Sequence, residues 1–256
     1  MLIDSHCHLD RLDLAPYEND FACLMNDIRA QQIEHLLCIS IDLEAYPAMR
    51  ALVDAYDDIS VTVGVHPNVN DAPAPTVEQL VALAQEKKVI GIGETGLDYF
   101  RSEGDLTWQR DHFRAHIEAA KMVKKPLIIH TREAKDDTLQ ILREENAGEV
   151  GGIIHCFTED WAFAKQALDL NFYISFSGIV TFNSAKTIQD AAKKIPTERL
   201  LIETDSPYLS PVPFRGRPNY PQYVKHVAQC VADLRGISLS SLTDITTRNF
   251  YTLFNQ

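Results

Sequence analysis

The sequence predicts a single (β/α)8 barrel of the TIM type, with its functional groups at the C-terminal ends of the strands. Three observations lead there. Eight short apolar, β-branched runs alternate with longer amphipathic stretches, the pattern of βαβ units around a parallel sheet. No linker or shift in composition divides the 256 residues, so 1–256 reads as one domain of a length common for such barrels. The histidines and isolated acids collect at the ends of the runs. A doubly wound open sheet is the rival, but its first strand usually leads into a Gly-x-Gly-x-x-Gly turn. Here the first run leads into histidines.

In chain order the strand runs are 2–9, 35–41, 60–65, 89–93, 126–130, 152–156, 172–177 and 199–203. Amphipathic stretches at 22–32, 76–86, 106–123, 136–145 and 160–168 supply the return helices, and 220–234 and 239–254 follow the last strand. Two irregular loops stand out. Residues 67–75 hold three prolines after the third strand, and 206–221 hold five after the eighth. Both follow C-terminal strand ends, where barrel enzymes place their chemistry.

Composition narrows the function. With 45% apolar and 23% charged residues, the chain can bury a substantial core. No apolar run approaches the roughly 18 residues of a membrane span, and the first residues lack the basic start and apolar stretch of a signal peptide, so a cytoplasmic location without membrane partners is expected. Five cysteines without a Cys-x-x-Cys pair predict reduced thiols. The net charge of −12 argues against a protein that coats nucleic acid, though not against local recognition of phosphate.

Five of the nine histidines, His6, His8, His66, His130 and His155, fall at or just beyond predicted strand ends, and Glu94 and Asp205 hold the same position after strands four and eight. Residues two apart on a strand share a face, so Asp4, His6 and His8 should point into the barrel mouth, where His-x-His forms a claw for a divalent cation. Groups from strands one, four, five, six and eight then converge, enough imidazole and carboxylate for two divalent ions, with Zn or Mn better suited than Ca. Two ions roughly 4 Å apart need a bridging anion, and Glu94 in Gly91-Ile92-Gly93-Glu94-Thr95-Gly96 is the candidate. The flanking glycines either let the backbone approach the site or pack the barrel tightly. Asp205 should hold an ion and take a proton from water as general base. Glu203, two residues earlier, should orient a histidine. His66 reads as a metal ligand or a substrate contact, His112 and His116 as a helix face, and Cys7 and Cys156 as small core residues turned away from the mouth. No nucleophilic Ser elbow and no phosphate loop is present.

Taken together, Asp4-Ser5-His6-Cys7-His8-Leu9-Asp10, Gly64-Val65-His66-Pro67, Gly91 to Asp98, the strand ending at His130, His155-Cys156-Phe157 and Glu203-Thr204-Asp205-Ser206-Pro207 resemble TatD-family metal-dependent deoxyribonucleases over essentially the whole chain. The resemblance implies a hydrolase of the amidohydrolase-like superfamily that cleaves DNA phosphodiester bonds, often as an exonuclease. It further implies one metal site from His6, His8, Glu94 and Asp205 and a second from Glu94, His130 and His155. The chain departs from the family after strand eight, where an Asn-Glu-Pro-like stretch is replaced by Arg217-Pro218-Asn219-Tyr220-Pro221. The expected cofactors are two divalent ions (Zn, Mn or Mg), and the expected partner is a short or single-stranded DNA substrate gripped by Arg101, Arg132, Arg215 or Arg217, with no obligate protein partner. Hydrolysis of an amide, lactone or phosphotriester by the same site is the alternative, and a non-catalytic metal-binding protein a more distant one.

Overall fold

The computed structural model describes residues 1–70 and 73–255, so part of the 67–75 loop lies outside the described residues. Eight strands, β1 (Leu2–Cys7), β2 (Ile33–Cys38), β3 (Ile59–Val63), β4 (Val89–Asp98), β5 (Leu127–Arg132), β6 (Gly152–Ile154), β7 (Phe172–Phe176) and β8 (Leu200–Ile202), form one parallel sheet in chain order. The sheet curls shut where Cys7 pairs with Ser206. There Asp205 N donates to His6 O at 2.9 Å and His8 N to Ser206 O at 2.8 Å. The expected eight-stranded barrel is the fold.

Parallel neighbours require a crossover between each pair of strands. These are α1 (Phe21–Ala30), α2 (Tyr46–Val53), α3 (Val77–Leu83), α4 (Thr107–Val123), α5 (Lys135–Glu144), α6 (Trp161–Asp169) and α7 (Lys186–Lys194), followed by α8 (Val224–Arg235) and α9 (Leu239–Phe254). Side-chain caps set several starts. Asp20, Asp160 and Ser238 each accept a backbone N–H of the first turn, and Thr76 forms a capping box with Gln79. The stretches expected from the sequence do not include α2 and α7. The buried side of α7 is Ile188, Ala191 and Ala192. The helix expected at 220–234 begins at Val224, because Pro221–Tyr223 winds as a 3-10 turn.

Ile3, Leu37, Ile39, Ile90, Ile128, Ile153, Tyr173 and Leu201 meet in one buried cluster with Phe250 and Phe254, so α9 closes the N-terminal end of the barrel. A larger cluster packs the helices around the strands, with Phe113, Phe163 and Phe172 fully buried. Each such side chain contributes about 2–3 kcal/mol of transfer free energy. The cluster of histidines and acids lies at the opposite, C-terminal mouth, and that end carries the site. No helix among the described residues is long and apolar enough to cross a membrane.

Two expectations change here. The fourth strand runs five residues beyond Gly93, placing Glu94 inside β4 and continuing its alternation through Gly96 to Asp98. The strict alternation Asp4–His6–His8 fails, because β1 slips in register between Asp4 and Cys7. Asp4 turns to β8, accepting from Thr204 N at 2.8 Å and Thr204 Oγ1 at 2.5 Å, while His6 and His8 reach the mouth.

Candidate metal centre

Glu94 lies at the middle of the mouth, and its two carboxylate oxygens face different neighbours. Oε2 is 3.2 Å from His6 Nε2 and 3.8 Å from His8 Nε2, while Asp205 Oδ1 is 3.3 Å from His8 Nε2 and 3.7 Å from His6 Nε2. Oε1 is 2.8 Å from His155 Nε2, 3.1 Å from His130 Nδ1 and 3.3 Å from His66 Nε2. The six residues expected as ligands are therefore adjacent, the other five grouped about the two oxygens of Glu94. The His6 and His155 rings stack at 3.8 Å.

The outer nitrogens of the histidines are anchored. His8 Nδ1 donates to Ile39 O at 3.2 Å, His130 Nε2 to Asp98 Oδ2 at 3.0 Å and His155 Nδ1 to Glu203 Oε1 at 3.2 Å. A carbonyl or carboxylate only accepts, so each of these contacts fixes a hydrogen on the outward nitrogen and turns the inward lone pair toward Glu94 or Asp205. Glu203 Oε1 also accepts from Cys156 N at 2.7 Å. Asp98 had no role assigned from the sequence. It binds His130 and Asn68 through Oδ2, and with β4 extended it sits four residues after Glu94 on the same strand face.

This donor set fits divalent cations. His6 is fully buried, yet neither ring nitrogen has a hydrogen-bond partner, although Nε2 lies close to Glu94. A buried unpaired polar nitrogen costs about 1–3 kcal/mol, so the site is built for a further binding partner. Burial pushes the His6 pKa down, which keeps the imidazole neutral. Burial alone would raise Glu94 and lower His155, but their mutual attraction dominates. His155, His66 and His6 hold Glu94 well below the usual carboxylate range, and Glu94 and Glu203 lift His155 well above the usual imidazole range. Carboxylates that raise a histidine's affinity for a proton raise its affinity for a cation for the same electrostatic reason.

His66 differs from the other four. Its Nδ1 accepts from Asn68 N at 3.0 Å, and burial keeps the ring neutral, so its hydrogen lies on the inward Nε2. A nitrogen carrying hydrogen is a donor, not a ligand. His116 is not a simple helix face either. Fully buried in α4, it donates from Nδ1 to His112 O at 2.7 Å and accepts Val65 N at 3.0 Å on Nε2, fixing the backbone next to His66.

The cavity above the cluster holds about 760 Å³ and is lined by all the residues named in it except His6 and Glu203, together with Arg11, Arg101, Arg132, Phe100 and Tyr208. Cys156 lines it too, contrary to expectation. β6 ends at Ile154 and Cys156 has φ 43°, so strand alternation no longer governs its direction. Cys7 is a buried core thiol as expected. Arg215 and Arg217 are exposed and lie outside the cavity, Arg215 with its guanidinium 4.0 Å from the centre of the Phe182 ring. The glycines pack strands. A Cβ on Gly96 would fall 2.0 Å from His130 O and one on Gly93 2.6 Å from Ile128 O, so β4 and β5 approach only because both are glycine.

A model of the family described as TatD related DNase matches residues 3–255. The chain belongs to the TatD family. Among family relatives, an uncharacterized metal-dependent hydrolase of Escherichia coli strain K12, YcfH, is 46% identical over 99% of this chain and 96% of its own length. YabD of Bacillus subtilis strain 168, described in the same words, is 40% identical over 99% of both chains. The crystal structure of YjjV, a TatD homologue from Escherichia coli K12, superposes with a TM-score of 0.90 at 26% identity, over 100% of this chain and 98% of its own.

Proposed function

We propose that this metal-dependent hydrolase of the TatD family is a deoxyribonuclease that removes nucleotides from short or single-stranded DNA in the cytoplasm. The observation that carries the reading is the grouping of the five other candidate ligands around Glu94, His6, His8 and Asp205 beside Oε2 and His130 and His155 beside Oε1. It suits a pair of divalent ions (Zn, Mn or Mg), one among His6, His8 and Asp205 and the other between His130 and His155, with Glu94 common to both. Ions bound there would acidify a water molecule and neutralise charge on the phosphoryl oxygens. The free thiol state of all five cysteines agrees with a reducing compartment.

The chain's own groups complete the reaction. Burial would raise the Asp205 carboxyl, but the hydrogen bond from His8 and the His6 and His155 rings hold it below the usual range, so it is ionised at neutral pH and able to accept the proton of the attacking water. Asp98 and Glu203 keep the His130 and His155 rings aimed inward. His66 Nε2–H faces Glu94 Oε1 at 3.3 Å and lines the cavity, so it is placed to donate to a phosphoryl oxygen of a substrate bound at that carboxylate. Arg101 and Arg132 line the cavity, placing two guanidinium groups where flanking phosphates would lie.

End-labelled single- and double-stranded oligonucleotides, incubated in parallel with a lactone and a cyclic amide across Mg²⁺, Mn²⁺ and Zn²⁺, test the proposal. It expects a ladder of shortened single strands with at least one of these ions. Consumption of the lactone or amide with intact DNA would replace it by the small-molecule reading.

A further inference from the structure

Phe100 is 54% exposed and Tyr208 48%, and both line the cavity above Glu94. Phe100 follows β4 and Tyr208 follows β8. In a closed barrel of eight strands in chain order, these two strands stand on opposite sides, so the two residues flank the mouth from opposite sides.

Neither ring hangs on a loose loop. Asp98 Oδ1 accepts from Phe100 N at 3.1 Å and Arg101 N at 3.0 Å, so the carboxylate that orients His130 also fixes the turn carrying Phe100. Tyr208 N donates to Asp205 O at 2.9 Å, and the buried Asn219 donates from Nδ2 to Tyr208 O at 2.5 Å. The Arg132 guanidinium lies 3.8 Å from the centre of the Phe100 ring and covers one of its faces.

We infer that Phe100, backed by Arg132, and Tyr208 form a subsite that stacks the nucleobase of the nucleotide being removed. The inference rests on the nuclease reading and deepens it. A π-face on each side of the mouth accepts any base, because every base has one. A base held between the two rings must leave its own stack. That costs least in a single strand. Arg132, paired with Phe100 and not with an acid, keeps its charge for the adjoining phosphate, which localises attraction at the mouth of a chain whose net charge is −12.

The test is binding of fluorescent phosphorothioate single strands to the Mn²⁺-loaded protein by anisotropy, comparing normal strands with strands carrying abasic residues at both ends. The wild type should prefer the base-bearing strand about tenfold. Phe100→Ala and Tyr208→Ala should each erase most of that preference, whereas Phe100→Trp should keep it. Equal thermal unfolding and Mn²⁺ content would show that the variants fold. No base preference in the wild type, or a preference that survives both alanine variants, overturns the subsite. A base preference that depends on Phe100, in a protein that cuts no phosphodiester strand, instead overturns the nuclease reading alone.

Discussion

At the scale of single residues, the candidate site depends on where hydrogens lie as much as on where side chains lie. Ile39 O, Asp98 and Glu203 each hold a histidine hydrogen outward, whereas the Asn68 N–H holds that of His66 inward, and the two arrangements separate ligation from donation. Replacing His66 with Gln, which retains a donor, should reduce turnover by about tenfold and leave metal content unchanged, because a single donor to developing charge is being repositioned. Loss of a metal ion in that variant, measured by elemental analysis, would return His66 to the ligand set. His116 supports the same segment from behind. Burial pushes its pKa down to about 4 from the ordinary 6.5. The unfolded chain therefore takes up a proton between those values that the folded chain refuses. Its contribution is fully present above pH 6.5 and is lost as pH falls toward 4, by about 3 kcal/mol. Denaturant melts at pH 7 and pH 4 should show that loss in the wild type and a smaller one in His116→Gln.

At the scale of elements, strand geometry decides which parts of the site were legible in the sequence. His6, His8, His130, His155, Glu94 and Asp205 could be found because imidazoles and acids are rare at successive strand ends. Asp98 could not, because the glycines around Glu94 imitate a strand terminus while β4 continues past them. His116 was hidden by its helical spacing from His112, since its partner is a backbone N–H 51 residues away in sequence. Cys156 escaped the alternation rule one residue beyond His155, where the chain leaves the strand. Phe100, Tyr208 and Asn219 lie in turns, where no period exists to mark them. The contact of β4 with β5 gives a prediction at this scale. Gly96 has φ +133° and no space for a Cβ. Gly96→Ala should destabilise the fold by about 3 kcal/mol and displace His130. Gly91→Ala, whose φ lies outside the glycine-favouring region and whose closest neighbour would be 3.2 Å away, should cost less by the same urea titration.

At the scale of the whole molecule, the barrel sets an apolar floor under a mouth crowded with acids and imidazoles, and this contrast shapes both stability and chemistry. Ions that bind only the folded arrangement stabilise it by mass action, about 2.7 kcal/mol at a hundredfold excess over Kd. For a chain of this length that raises Tm by about 5–10 °C. Melting curves with Mn²⁺ and with a chelator should differ by that amount, and superimposable curves would count against a metal centre.

The most direct test of the central claim, that Asp205 handles the proton in a two-ion site bridged by Glu94, is single-turnover cleavage of an end-labelled single strand by Asp205→Asn, with its metal content measured in the same preparation. At least one bound divalent ion and turnover reduced by a thousandfold or more are expected, on the order seen when a catalytic base and ligand is lost. Full cleavage by Asp205→Asn would contradict it.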